Sequence, residues 1–414
     1  MLKHAATLIL TAAMLLAPTG ASAVVVDDVE QAPAADRPQY LGENADVYGI
    51  DHVGDRVVVA GTGITSIRNG DGSVRSGANL SATAPGDPTR VSWVSPLGVE
   101  FWDIEPVGDG HDFIAVGEGG AYRFDLTTNT LEWQLNLGGT ATTISRIPGT
   151  PNFIVGGDYS PALKVVRLSG RINAGYSMPA VTGTVAQTTS TKVYRGDINP
   201  QGTRYVFIGS FSDVGGAARQ QAAMLDIGPK AATVAGWAPP ILTADPDGDG
   251  FACASRFPAY LRSVDFSPDG SWFVLGSTGG PAGRACDTAM RFNGARNRPA
   301  WVDETCGDTI HSVHVTDDGQ HVLVGGHFKC IGQTRGTQGS PGQFDRYGMA
   351  MLNADGTVSA WKSDKCRGVG ARVIASIPGG YGVGYDCTYW GNSESENPDP
   401  SPKLPLARFA FLAS

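Results

Sequence analysis

The run Asp245-Pro246-Asp247-Gly248-Asp249-Gly250-Phe251 sets three carboxylates at alternate positions and follows them with glycine. Carboxylates so spaced converge on a hard cation while glycine permits the tight turn, so Asp245, Asp247 and Asp249 read as the front half of a calcium loop. The alternative is a solvated acidic turn, and Arg256 stands where an EF-hand would close with glutamate. Histidine offers a second chemistry. Four of the seven histidines, His311, His314, His321 and His327, fall in one stretch, with Asp308 beside them. His327 follows a strand-ending glycine, the place taken by Asp158 and Asp386 in two similar stretches. Imidazoles beside carboxylates hold transition metals or shuttle protons, so His311, His327, Asp308, Asp158 and Asp386 are the candidate catalytic set. Against that stands the plainer reading that polar side chains at strand ends bond loop backbone. No Gly-x-Ser-x-Gly elbow, His-Glu-x-x-His pair or phosphate loop occurs.

The elements that must position these residues are hairpins. SVDFSPDGSWFVLG reads as strand, Gly-containing turn and a β-rich strand ending in apolar-Gly, and seven such hairpins end at Gly61, Gly117, Gly156, Gly209, Gly276, Gly325 and Gly384. Successive terminal glycines lie 39 to 67 residues apart, a period that marks one repeated supersecondary unit with loop insertions. Several hairpins are followed by Asp or Asn, a turn and a tryptophan, as at Trp133, Trp301 and Trp361, with a stretched version at Trp237. Two hairpins per repeat make a four-stranded antiparallel blade, and radial stacking covers both of its apolar faces. The fold class is therefore all-β: a seven-bladed β-propeller, with a β-sandwich as the alternative. Leu406–Leu412 alternates as the third strand of the last blade, and the chain then stops. Its outer strand is expected from residues 24–45, with VVVDDV and QYL as candidates, tying the ring shut and covering a sheet edge.

VDFSPDG resembles the first-strand signature of WD40-like and YVTN-type propellers. The frame Phe-x-x-[Val/Ile]-Gly, carried by Phe211, Val214 and Gly215 and again by Phe328, Ile331 and Gly332, leads both times to Ala-Met-Leu-[Asp/Asn]. In this the chain is similar to secreted actinobacterial propellers of the delta-60 repeat type. DPDGDGFACA also resembles the excalibur type of extracellular calcium motif, with Ala254 in place of its glutamate. Such resemblances imply a fold and a calcium site, and no reaction.

The six cysteines all follow residue 250 and allow fifteen pairings. Cys253–Cys286, Cys306–Cys330 and Cys366–Cys387 are each nearly equidistant from a hairpin tip, which brings both members to the same end of one blade. Asp51, Glu105, Asp197, Asp265 and His314, with Ser145 and Ala375, occupy one column of the first strands. A structural ring pointing between blades, accepting amides from the next blade, is the first reading; a carboxylate-lined channel is the second.

Lys3 and His4, an apolar run and Ala21-Ser22-Ala23 form an export signal over residues 1–23, leaving residues 24–414 as one domain. No later run is apolar enough to insert in a membrane. A net charge of −9 argues against nucleic acid and anionic membranes. The 56 glycines and 26 prolines, spread evenly, fit turns between short strands. The reading is a secreted, extracellular monomer that binds or scaffolds a glycan, a cell-wall component or a protein, with calcium as its cofactor. The alternative is a hydrolase, lyase or lactonase-type enzyme using Asp and His at the channel mouth.

Overall fold

The computed structural model describes residues 38–42, 44–77, 79–185, 188–242, 260–279, 285–294, 296–334, 336–363, 370–385 and 406–413. The export signal, VVVDDV, the Asp245–Asp249 run, Asp386, Cys253, Cys366 and Cys387 lie outside them. Each glycine-terminated hairpin of the sequence is an antiparallel pair. Their leading, inner strands are β1 (Asp46–Val53), β2 (Phe101–Pro106), β3 (Ala141–Arg146), β4 (Lys192–Ile198), β5 (Leu261–Phe266), β6 (Ile310–Val315) and β7 (Ala371–Ile377).

None of these strands alternates strictly. Apolar residues fall three apart, as in Val47 and Ile50, Phe101 and Ile104, or Ile310 and Val313. Each ladder absorbs the mismatch with a register shift of one residue at that point. A bulge of this kind leaves one residue unpaired, tightens the twist and re-aims its side chain. The terminal glycines sit opposite these bulges because there is no room for more. A Cβ on Gly61 would collide with the Asp46 carbonyl, and one on Gly384 would press into Val47 of β1.

The strands following the inner ones are covered on both faces: Phe113, Ile114, Ala115 and Val116 are wholly buried. That is why they read as unbroken apolar runs. Each inner strand packs beside the next in chain order, and β7 packs beside β1. Four of the sheets have four antiparallel strands, and two more add a hairpin to their four.

Tryptophans of outer strands clasp the following sheet. Trp133 donates its indole N–H to the Leu168 carbonyl at 3.0 Å, and Trp301 does the same to Ala354 at 3.0 Å. Trp93 packs edge-on to Phe113, and Trp237 edge-on to Phe273. The third repeat, which has no such tryptophan, uses Tyr176, whose hydroxyl donates to the Gly228 carbonyl at 2.9 Å. Between the last sheet and the first, fully buried Tyr40 takes the role, its hydroxyl 3.3 Å from Ser81 Oγ. Tyr40 belongs to the QYL segment: Gln39–Leu41 pairs antiparallel with Leu406–Ala413.

Inserted hairpins lean back on the preceding outer strand. Ser66–Arg68 pairs with Gln39–Leu41, Asp213–Val214 with Val181–Thr182, and Cys330–Gly332 with Glu304–Thr305. The last two carry the Phe-x-x-[Val/Ile]-Gly frame, whose Phe211, Val214, Phe328 and Ile331 are wholly buried. Cys306 and Cys330 form a disulfide with Cα atoms 5.4 Å apart. Its position differs from the expectation of a link within one blade. Cys330 has left the β6 hairpin for the inserted one, so the bridge ties the end of the fifth sheet's outer strand to the sixth repeat. Cys286 is also disulfide-bonded. Among the described residues no helix is long and apolar enough to cross a membrane.

Candidate functional site

The seven bulges converge. Their unpaired residues are Tyr48, Trp102, Thr142 and Tyr194 on β1 to β4, and Arg262, His311 and Arg372 on β5 to β7. All of them line one cavity of about 630 Å³. Its wall is therefore two-sided: aromatic and hydroxyl groups from the first four inner strands, cationic and imidazole groups from the last three. Lys192 and Arg195 add two more cations, and Asp158 is the one carboxylate among the described lining residues.

Arg195 is the floor. Its guanidinium donates to the carbonyls of Trp102 at 3.0 Å, Thr142 at 2.9 Å and Tyr48 at 2.8 Å. Bulge residues lose their own ladder partners, and a buried carbonyl without a donor is costly. One arginine on β4 thus satisfies three bulges on β1, β2 and β3. Other charges in the mouth are neutralised locally. Lys192 Nζ lies 3.4 Å from Asp158, and Arg372 Nε lies 2.8 Å from Asp46. Arg262 has no hydrogen-bond or ion-pair partner among the described residues, and burial pulls its pKa down. Burial, with Arg372 and Arg262 beside it, pushes the His311 imidazole down to about 3, so it is neutral at physiological pH.

Three residues along the same strands, the character reverses. Asp51, Glu105, Ser145, Asp197, Asp265, His314 and Ala375, with Asp103, line a second cavity of about 390 Å³. Both readings of this column hold together. The carboxylates face the channel, and they also accept amides from the next inner strand. Asp197 Oδ2 accepts from Phe266 N at 2.7 Å and Asp265 Oδ2 from Val315 N at 2.5 Å. Two positions earlier, Asp103 accepts from Ile144 N at 3.0 Å and Ser263 Oγ from Val313 N at 3.1 Å. Burial pushes Asp51 up to about 7. Burial and then the Asp265 charge raise Asp197, while burial and then Asp51 carry Glu105 well above the usual carboxylate range.

His314 crosses this end. Its Nδ1 lies 3.1 Å from Asp265 Oδ2 and its Nε2 2.8 Å from Ser376 Oγ, which donates to Asp317 Oδ1 at 2.6 Å. Burial opposes a charge on His314, and the Asp265 carboxylate overrides it and raises the pKa.

The sequence candidates are dispersed over the mouth rather than gathered at a point. His311 and Asp158 line the cavity, Asp158 accepting from Thr140 N at 2.6 Å. His327 Nδ1 pairs with Asp308 Oδ1 at 3.0 Å. Among the described residues, the cluster with metal-ligand spacing is a different one, Asp109, His111 and Asp112, on a turn of the second sheet. Arg123 already pairs with Asp112 there, and His111 Nδ1 lies 2.7 Å from it. Sequence reading missed the bulge ring and Arg195. The signal for the ring was present in the three-residue spacing of apolar positions.

No protein-family model matches the sequence, and no curated protein matches it. The structure is similar to the crystal structure of the RRP9 WD40 repeats, with a TM-score of 0.57 at 10% identity, covering 93% of this chain and 99% of that one. It is also similar to U3-55K, with a TM-score of 0.53 at 10% identity, covering 92% of this chain and 100% of that one. At such identity the likeness shows the fold alone: a WD40-like β-propeller.

Proposed function

We propose that this chain is an exported, seven-bladed propeller that binds an extracellular ligand or partner at the bulge-lined mouth of its channel. The resemblance to delta-60-type repeats and the export-signal pattern over residues 1–23 support export. The cyclic packing of β1 to β7, with Gln39–Leu41 beside Leu406–Ala413, supports a ring of seven blades closed by the N-terminal strand. Deleting residues 24–45 should lower the melting temperature markedly, since it strips Tyr40 from its buried site; an unchanged value would refute closure. The observation that carries the binding function is the convergence of seven re-aimed side chains on one cavity of ligand size.

An enzyme is the second reading, favoured by the Asp265–His314–Ser376 line. The hydrogen-bond directions oppose it. Ser376 gives its proton to Asp317, so at their shared contact His314 Nε2 is the donor and offers no lone pair with which to take it. The chain of contacts serves better as a clasp between β5, β6 and β7.

The test is binding of the secreted protein to polysaccharide and extracellular-protein arrays, beside a Trp102→Ala/Tyr194→Ala variant of matched melting temperature. Signals lost in the variant support the mouth as the binding face. Signals equal in both, or none in either, overturn it.

A further inference from the structure

The mouth carries more chemistry than a generic binding face requires, and the inference drawn here rests on the mouth being that face. Its two arcs differ in kind. Tyr48, Trp102 and Tyr194 supply flat apolar surface with polar edges, suited to the faces of a saccharide ring. Across the cavity stand Arg262, His311 and Arg372. The chain as a whole has a net charge of −9, so a cluster of cations in a concave site is a local reversal.

We infer that the mouth binds a ring-bearing oxyanion, a carboxylated or phosphorylated sugar unit, with its ring against the Tyr48–Trp102–Tyr194 arc and its anionic group on Arg262.

Arg262 is the group assigned to the anion because the other cations are spent. Arg195 is consumed by three carbonyls, Arg372 faces Asp46 and Lys192 faces Asp158. A half-buried guanidinium with no partner among the described residues costs free energy in the empty protein. A carboxylate or phosphate removes that cost and matches the planar fork of donors. His311, held neutral, supplies one donor or acceptor for a ring hydroxyl and adds no competing charge. Its acceptor capacity distinguishes this wall from a bare cationic patch, and it favours a hydroxylated body over a plain aromatic acid.

The experiment is titration of the intact secreted protein with glucuronate, glucose 6-phosphate, methyl glucoside and inorganic phosphate, read by tryptophan fluorescence and calorimetry. The expected result is saturable binding of one or both ring anions, at least about tenfold tighter than methyl glucoside and than inorganic phosphate. Which ring anion binds more tightly tells carboxylate from phosphate. Arg262→Gln should weaken ring-anion binding about tenfold or more, the scale of a lost charge-assisted hydrogen bond. Trp102→Ala should weaken glucuronate and leave any residual phosphate affinity unchanged. Equal binding of glucuronate and methyl glucoside, unaltered by Arg262→Gln, overturns the anion assignment and leaves the mouth as a binding face. No binding of any probe overturns the inference, and the array result then decides the wider reading by itself.

Discussion

The two ends of the channel are built from the same seven strands, three residues apart, and use their side chains in opposite ways. At the acidic end polar atoms are consumed by neighbours: Asp197 and Asp265 cap amides of the following strand, and His314 lies between Asp265 and Ser376. At the mouth the ladder slips by one residue, and the displaced side chains project into open space with Arg262 unpaired among the described residues. A residue in register is held by the adjacent strand; a residue in a bulge is released from it. The acidic end therefore holds the sheets together, and the mouth is free to meet something else. Arg195 serves both, being the floor of the mouth and lying 4.0 Å from Asp103.

The largest effect is expected where the two ends meet. Arg195→Met leaves the carbonyls of Tyr48, Trp102 and Thr142 without their donor and Asp103 without its nearest cation. The cost should be about 3–5 kcal/mol by chemical denaturation, as for other broken buried ionic contacts. A loss below about 1 kcal/mol would mean that the ends are independent.

The acidic end should next reveal itself through pH. Burial lifts Asp51 from 3.8 to about 7, so between those values the folded chain holds a proton that the unfolded chain has released. Stability from this group is present at low pH and is lost as pH rises through about 7. The raised His314 contributes with the same sign, its share lost as pH rises through its folded-state pKa. The melting temperature should thus fall from about pH 5 to about pH 8. Asp51→Asn, which keeps an acceptor for His52 N, should flatten the curve and gain on the order of 2 kcal/mol near pH 8. An asparagine variant with a parallel curve would show that Asp51 is solvated and belongs to neither end.

Much of this fold was legible because its signals are local. Turn chemistry and terminal glycines marked every hairpin, since each glycine meets a backbone or side-chain contact that leaves no space for a Cβ. Tryptophans marked the joints, and QYL supplied the strand beside Leu406–Ala413 because it offered a buried aromatic where a tryptophan was due. The acid column was visible as a repeat, but whether it faced the channel or the next sheet depended on a pleat that one bulge inverts. The site was harder. A bulge is a departure from alternation, so a search for alternating strands discards the residue that matters. His311 drew attention for its type, whereas Tyr48, Trp102, Tyr194 and Arg262 share only a position. Arg195 has no sequence signal at all, because the carbonyls it satisfies lie 53 to 147 residues away.

The smallest stability effect is expected at the mouth, and it sharpens the comparison most. Arg262→Gln removes a half-buried charge that gives no described residue a hydrogen bond. Burial already disfavours that charge, lowering its pKa, so the empty protein gains from its loss whatever the desolvation had cost. Against this, glutamine gives up part of the aliphatic stem that packs at the cavity edge. The two effects oppose each other, and the melting curve should shift by no more than about 0.5 kcal/mol, with stabilisation as the sign where the relief of desolvation prevails. Arg195→Met, on an arginine lining the same cavity, supplies the contrast. If Arg262→Gln instead cost as much as Arg195→Met, Arg262 would be a second structural clasp. The mouth would then be consumed as fully as the acidic end, with no cation left over for a ligand.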